Sequence, residues 1–270
     1  MTAPQRAFSN IDESADDVRA RLVQYLDVVA GHPEIQRVRA SGLELFAPTA
    51  GEKLLDAGCG LGEVARQLGT LVGPAGTVTA LDYSAEALAV AKSRDEEGLV
   101  EYTTGDIAKL DFPDDQFDGV RAERVLQHVD DATAALRELA RVTRPGGRVC
   151  VIDTDWASLV DDGLDRGQEI LRFLIGAKVF KNPTIGRTIR ARMIEAGLDA
   201  VTTLPVTLRF TSPDDAGKVV PIFSEEGFSS LPAMVPAELS DAFFPSVQRA
   251  TERGVFLIAF TMWITVGQVV

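Results

Sequence analysis

The sequence predicts an α/β fold: a mostly parallel sheet covered by helices on both faces, with an antiparallel edge strand and helical cap elements. Three observations predict it. Between residues 53 and 153, apolar runs of strand length alternate with amphipathic runs of helix length. Turn signals such as Arg144-Pro145-Gly146-Gly147 punctuate them. The last third breaks the alternation yet stays too apolar for a disordered linker.

Residues 14–30 and 35–46 carry helical patterns, the first with Val18, Leu22, Tyr25, Leu26 and Val29 on one face, and Gly31-His32-Pro33 breaks them apart. After that the period changes. Residues 53–57 form a strand, 62–71 a helix, 77–81 a strand and 85–97 a helix, with Ser84 as its N-cap. Strands at 100–103 and 117–122 follow, then a helix at 131–143, the 144–147 turn and a strand at 148–153. Five strands alternating with helices mean parallel pairing with both faces covered. Residues 165–180 and 184–196 read as helices, Gly197 stops the second, and 200–210 reads as a strand. The 211–250 block is loop-rich, but Phe223, Phe228, Leu231, Met234, Phe243 and Phe244 mark it as ordered cap material. The run 256–265 returns to the sheet as a long strand, where pairing through an insertion allows an antiparallel edge.

Forty acidic against 27 basic residues leave a formal charge of -13, which repels a phosphate backbone, so no nucleic-acid partner is expected. The two cysteines, Cys59 and Cys150, lack CxxC spacing, and no HxH or HExxH pattern occurs, so neither a disulfide framework nor a metal is implied. A reduced cytoplasm fits this composition. The first residues lack the basic leader and apolar core of a signal peptide. Residues 255–270 are uncharged, but fall short of the roughly 20 a spanning helix needs and are rich in β-branched and aromatic types. They read as a buried strand, with no membrane anchor. A monomer and a homodimer are equally compatible with the sequence.

The stretch LLDAGCGLGEVARQL, residues 54–68, places three glycines directly after a strand. A dinucleotide fingerprint would need a third glycine where Glu63 stands, and that glutamate also puts negative charge where a pyrophosphate wants the positive end of a helix. A P-loop is excluded because no GKS or GKT follows. Asp56 instead suits a ligand with a cationic end that still needs close backbone approach. Asp82 ends the second strand, where a carboxylate accepts hydrogen bonds from both hydroxyls of a ribose. Asp106 follows the third, where an acid meets an exocyclic amine and Ile107 covers a purine face. Three acids at three strand ends describe one nucleoside site, and the ligand they describe is S-adenosylmethionine.

In the segments LLDAGCGLG, VTALDYS, GDIAKLDFPDDQFDGV, RVLQHV and LRELARVTRPGGRV, the chain resembles the class I S-adenosylmethionine-dependent methyltransferases. Within them it is similar to the small-molecule group that includes the ubiquinone and menaquinone C-methyltransferases. The resemblance covers about residues 50–153 and implies a Rossmann-like sheet. It implies cofactor contacts at Asp56, Gly58 and Gly60, at Asp82, at Asp106 and Ile107, and along Ala122 to Arg124. The corresponding division is 1–50 as N-terminal helices of an acceptor cap and 51–153 as the cofactor-binding core. Residues 154–270 complete the sheet, with insertions 154–181 and 211–250 shaping the acceptor pocket.

Each candidate carries a second, structural reading. Asp56 also suits a loop-bracing acid, Asp82 a solvated strand-end acid, and Tyr83 either a stack beside the adenosine or a packing residue. Arg124 can meet the cofactor carboxylate or pair with a loop acid, and Glu123 can face the acceptor or pair with Arg121. His128 has the sole unperturbed pKa near neutrality by the expected cleft, so it is a general-base candidate or a structural hydrogen-bonding group. Asp153 and Asp155 can bind or deprotonate an acceptor beside Trp156, or form a capping turn before the next helix. An acceptor wall of Tyr25, Phe46, Trp156, Phe173, Phe180, Phe223, Phe228 and Phe243 suits a hydrophobic small-molecule substrate such as a quinone, polyketide or terpenoid. The expected activity is methyl transfer to that acceptor; the alternative is cofactor binding with a non-methylating reaction such as a cyclisation.

Overall fold

The computed structural model describes residues 16–176, 180–223 and 235–270. Phe228, Leu231 and Met234, and the first 15 residues, lie outside that range.

Two helices open the described chain, α1 (Asp16–Gly31) and α2 (Pro33–Phe46). His32 separates them: its Nδ1 accepts the Glu34 N–H at 3.2 Å, capping α2 where Pro33 occupies the first turn. The core alternation follows as β1 (Lys53–Ala57), α3 (Glu63–Val72), β2 (Thr77–Asp82), α4 (Ala85–Ser93), β3 (Val100–Thr104), β4 (Phe117–Glu123) and α5 (Ala132–Val142). Ser84 caps α4 by accepting the Ala87 N–H at 3.0 Å, and Asp131 caps α5 on Thr133 and Ala134. α4 ends four residues earlier than its pattern predicts. The Asp95 carboxylate accepts the N–H groups of Leu99 and Val100, drawing the chain into β3.

β5 (Thr143–Asp161) departs most from expectation. Residues 144–147 are not a separate turn, and residues 153–156 are not a capping turn; all belong to one strand that runs on past a register shift between Asp155 and Val160. Ser158 stitches that irregularity, donating to the Asp155 carbonyl and accepting the Thr261 N–H. After it come α6 (Gly167–Gly176), α7 (Ile185–Glu195), β6 (Asp199–Phe210), α8 (Pro213–Gly217), α9 (Ala237–Glu252) and β7 (Ile258–Gln268). The 211–250 block is therefore more helical than expected: Pro245, inside α9, hid a 16-residue helix from pattern reading.

The strands form one seven-stranded sheet in the order β3-β2-β1-β4-β5-β7-β6. All neighbours pair parallel except β7, which lies antiparallel between β5 and β6. Residues 255–270 are thus largely sheet, and among the described residues no helix is long and apolar enough to cross a membrane. Side chains alternate between two cores: Leu54, Cys150 and Ile152 pack beneath α2 and α3, whereas Leu55, Val149 and Val151 face α5 and α7. Strand order reverses beside β1, between β2 and β4, and the carboxyl ends there open into a crevice.

Candidate active site

That crevice is a cavity of about 760 Å³, bounded on one side by the loops after β1, β2, β3 and β4 and on the other by α1, α2, β5, α6, β7 and residues 219–222. On the first side the glycine loop folds back over β2. The N–H groups of Gly58 and Cys59 donate to the Leu81 carbonyl at 2.6 and 3.0 Å. Gly58 has φ +81°, and a Cβ there would stand 2.2 Å from Val125 Cγ2, so only glycine lets the loop lie against the turn after β4. Gly60, at φ +54° and lining the cavity, has no atom within 4 Å of its would-be Cβ, so glycine is favoured there by backbone conformation and not by crowding.

Asp82 holds the loop from the neighbouring strand end. Its Oδ2 accepts the Gly60 N–H at 2.7 Å and its Oδ1 the Ser84 N–H at 3.0 Å, which fixes the carboxylate at the cavity wall. Asp106 is similarly set by accepting the Ala108 N–H at 2.8 Å, with Ile107 buried beside it and lining the cavity. Tyr83 lies at the rim, 70% exposed. Asp56, Gly58, Gly60, Asp82, Tyr83, Asp106, Ile107 and Arg124 thus share one cavity. Ala122 does not reach it, because its methyl group points into the core on the α5 face.

Beneath the cavity lies a buried ion cluster. Arg121 Nη1 meets Asp56 Oδ1 at 3.2 Å, Arg121 Nη2 meets Glu123, Arg39 Nε meets Glu123 Oε1 at 3.0 Å, and Arg124 Nε stands 3.5 Å from Glu123 Oε1. Asp56 therefore finds its cation within the chain. Burial pushes its carboxyl above the usual range, and Arg121 opposes that shift. Burial works in the same sense on Glu123, but Arg39, Arg121 and Arg124 outweigh it and hold that carboxyl at about 2. Glu123 both lines the cavity and pairs with Arg121; a carboxylate held that acidic is a poor proton acceptor. Arg39 carried no sequence signal, because its role depends on α2 crossing the sheet end.

His128 lines the cavity beside Phe180, the two ring centroids 6.5 Å apart. Burial, helped by Arg124 and Lys181, lowers it to about 4, so the ring is neutral at neutral pH. Asp153, expected to touch an acceptor, is corrected by the structure: it is fully buried and does not line the cavity. It accepts the N–H groups of Thr154 and Gln127 at 2.9 and 3.2 Å, bracing the turn after β4, and burial lifts its carboxyl to about 7. Asp155 likewise leaves the cavity and pairs with Arg187.

The apolar wall is smaller than expected in aromatics. Tyr25, Trp156 and Phe180 line it; Phe46 is buried between α2 and the sheet, Phe223 and Phe243 pack on one another at 5.9 Å, and Phe173 does not reach it. Aliphatic residues including Ile35, Leu159, Leu174, Val220 and Ile222 make up the difference. Trp156 is clamped between Phe180, stacked at 4.4 Å, and Phe260 at 5.5 Å. Gln127, which sequence reasoning missed, links this wall to the other side. Its Oε1 accepts the Trp156 indole N–H at 2.7 Å and its Nε2 donates to the Arg124 carbonyl at 3.3 Å. Tyr25 donates to the Val219 carbonyl at 3.0 Å, closing α1 onto the segment after α8.

Comparison with known proteins agrees with this geometry. Residues 55–151 match the methyltransferase domain family. The chain is 32% identical over 249 residues to an uncharacterized 37.1 kDa protein in transposon TN4556 of Streptomyces fradiae, covering 91% of this chain and 71% of that protein. It is also 32% identical over 179 residues to the ubiquinone/menaquinone biosynthesis C-methyltransferase UbiE of Pseudomonas paraeruginosa, covering 59% of this chain and 70% of that one. Among solved structures, phosphoethanolamine N-methyltransferase 2 of Haemonchus contortus superposes with a TM-score of 0.62 at 17% identity, covering 99% of this chain and 60% of that chain. The [4+2]-cyclase SpnF superposes with a TM-score of 0.54 at 20% identity, covering 87% and 81%. The chain therefore belongs to the S-adenosylmethionine-dependent methyltransferases.

Proposed function

We propose that this enzyme transfers the sulfonium methyl group to an apolar small molecule, of quinone, polyketide or terpenoid type, held between the glycine loop and the Trp156 wall. One observation carries the reading: a single cavity joins a polar edge of strand-end acids to a wall of aliphatic and aromatic side chains. UbiE, a quinone-pathway C-methyltransferase by name, supports the quinone end of that range. Two free thiols, Cys59 and Cys150, support a reduced cytoplasm as the setting.

In this reading Asp82 takes the ribose hydroxyls, Asp106 the exocyclic amine and Ile107 the purine face, with Tyr83 beside the adenosine. Gly58 and Gly60 let the backbone approach, and Arg124 takes the methionyl carboxylate. Asp56 and Ala122 support the site from beneath. S-adenosylmethionine supplies both the electrophile and its leaving group when bound. The chain's own task is to align the acceptor atom and exclude water, which the capping helices and Val219–Ile222 segment perform. His128, too weak a base at about 4 to deprotonate a neutral hydroxyl in advance, takes the proton that the acceptor releases once methylation has made it strongly acidic. Glu123 and Asp153 act as positioning residues.

The test is calorimetric titration with S-adenosylmethionine, S-adenosylhomocysteine and NADH, followed by turnover assays that detect S-adenosylhomocysteine. We expect binding of the adenosyl pair alone, and turnover with reduced naphthoquinones, polyketide phenols or terpenoid alcohols. Turnover confined to polar amines would overturn the apolar-acceptor reading.

A further inference from the structure

Arg124 and His128 enter the cavity from the irregular turn after β4 rather than from a helix or strand. Arg124 sits at φ +56°, a left-handed conformation that a non-glycine residue keeps only when its surroundings enforce it. Arg124 itself is held by its N–H donating to the Ile152 carbonyl at 2.7 Å, whereas the next five residues of the turn are held by a residue more than fifty positions away. Asn182, between Phe180 and α7, donates from Nδ2 to the carbonyls of Leu126 and Val129, both at 2.8 Å. Its backbone N–H donates to the Gln127 carbonyl at 3.1 Å. These three carbonyls bracket His128.

The clamp is itself anchored. Pro183 follows Asn182 and restricts its backbone, and the Pro183 carbonyl accepts the Trp156 N–H at 2.8 Å, which ties the segment to β5. Asn182 therefore has a fixed base on one side and both amide hydrogens committed on the other. We infer that Asn182 is a positioning residue for methyl transfer: its carboxamide holds the turn after β4 so that His128 faces the acceptor wall. The inference deepens the proposed function and rests on its placement of His128 at the acceptor side. A purely structural role is available, since the Asn182 carbonyl accepts the Ile185 N–H at the start of α7. That bond uses only the backbone and survives any side-chain change, so the two roles separate experimentally.

The chain has two histidines, His32 and His128, so imidazole resonances are assigned by comparing the full-length protein with His128→Gln. The measurement is an NMR pH titration of His128, alongside thermal melting and calorimetry with S-adenosylhomocysteine as probe. In the unmodified protein, burial should hold the His128 midpoint at about 4. Asn182→Ala and the volume-matched Asn182→Leu should each move that midpoint at least ~1 pH unit toward the ordinary imidazole value, as the freed ring gains solvent. Affinity for S-adenosylhomocysteine should change less than about threefold, because Asn182 touches neither the strand-end acids nor Arg124, which the Ile152 carbonyl and Gln127 side chain hold. A His128 midpoint unchanged in a cooperatively melting variant would overturn the inference. So would loss of cooperative melting in both variants, which would make Asn182 a folding determinant. Failure of the His128 proton role reads out separately, as unaltered turnover in His128→Gln.

Discussion

On the glycine-loop side of the cavity, Gly58, Asp82 and Asp106 stand at the carboxyl ends of three neighbouring parallel strands, and each is held by backbone groups a few residues away or on the next strand. The opposite wall, where we place the acceptor, is gathered differently: Tyr25 meets Val219 across a separation of 194 residues, and Trp156, Phe180 and Phe260 arrive from three further segments. The first end is a property of βα units and recurs wherever that unit does. The second is a property of how the remaining chain is draped over the sheet. The difference teaches that one half of a site can be inherited with its topology while the other varies freely in the same fold.

The largest expected effect tests the floor shared by both ends. Replacing Arg121 with Met strands Asp56 in a site that excludes water, and should cost about 3–5 kcal/mol of stability by denaturant unfolding. Adding Asp56→Leu to Arg121→Met should recover part of that loss, since an apolar pair carries no desolvation penalty; a further loss instead would show that Asp56 has another essential partner. Next, Asp82→Ala removes an acceptor from Gly60 and Ser84 and the proposed ribose contact, and should weaken S-adenosylhomocysteine about 100-fold. Unchanged calorimetric affinity would move the cofactor end elsewhere.

A smaller effect belongs to the acceptor end. Burial holds His128 at about 4 against an ordinary 6.5, so below pH 6.5 the unfolded chain binds a proton that the folded one refuses. Its stabilising contribution is present above pH 6.5 and lost as pH falls toward 4. His128→Gln should therefore show a shallower loss of stability than the unmodified protein between those values; parallel curves would mean an unburied ring. The smallest effect is expected where α1 meets α4. Arg94 pairs with Asp27 through two bonds at 2.6 and 2.9 Å, but both side chains are substantially exposed, so Asp27→Ala should change stability by less than about 1 kcal/mol.

The same contrast explains what could be read in advance. β1, β2 and the parallel sheet were legible because strands buried on both faces read as short continuous apolar runs between amphipathic helices, and Asp82 and Asp106 because a strand end fixes where an acid points. Arg39, Gln127 and Asn182 were not legible. Each is an ordinary polar residue whose partner lies on a distant element, so no local pattern distinguishes it from a solvated one. Phe46 and Asp153 failed in the opposite sense: their types suggested a pocket, but the strand and helix faces they occupy turn them into the interior. α9 was hidden by Pro245, and the length of β5 by the glycines and proline at its start, because local propensity yields to tertiary pairing.

The placement of β7 between β5 and β6 also sets an order of assembly. During synthesis β5 and β6 both emerge before the strand that joins them, leaving two unpaired edges until β7 arrives and pairs with both. Phe260 and Met262 of that strand line the cavity, so its far wall is closed by residues synthesised after the loops that follow β1, β2, β3 and β4. A nascent chain can thus form the strand-end loops before β7 exists to close the opposite wall of the cavity.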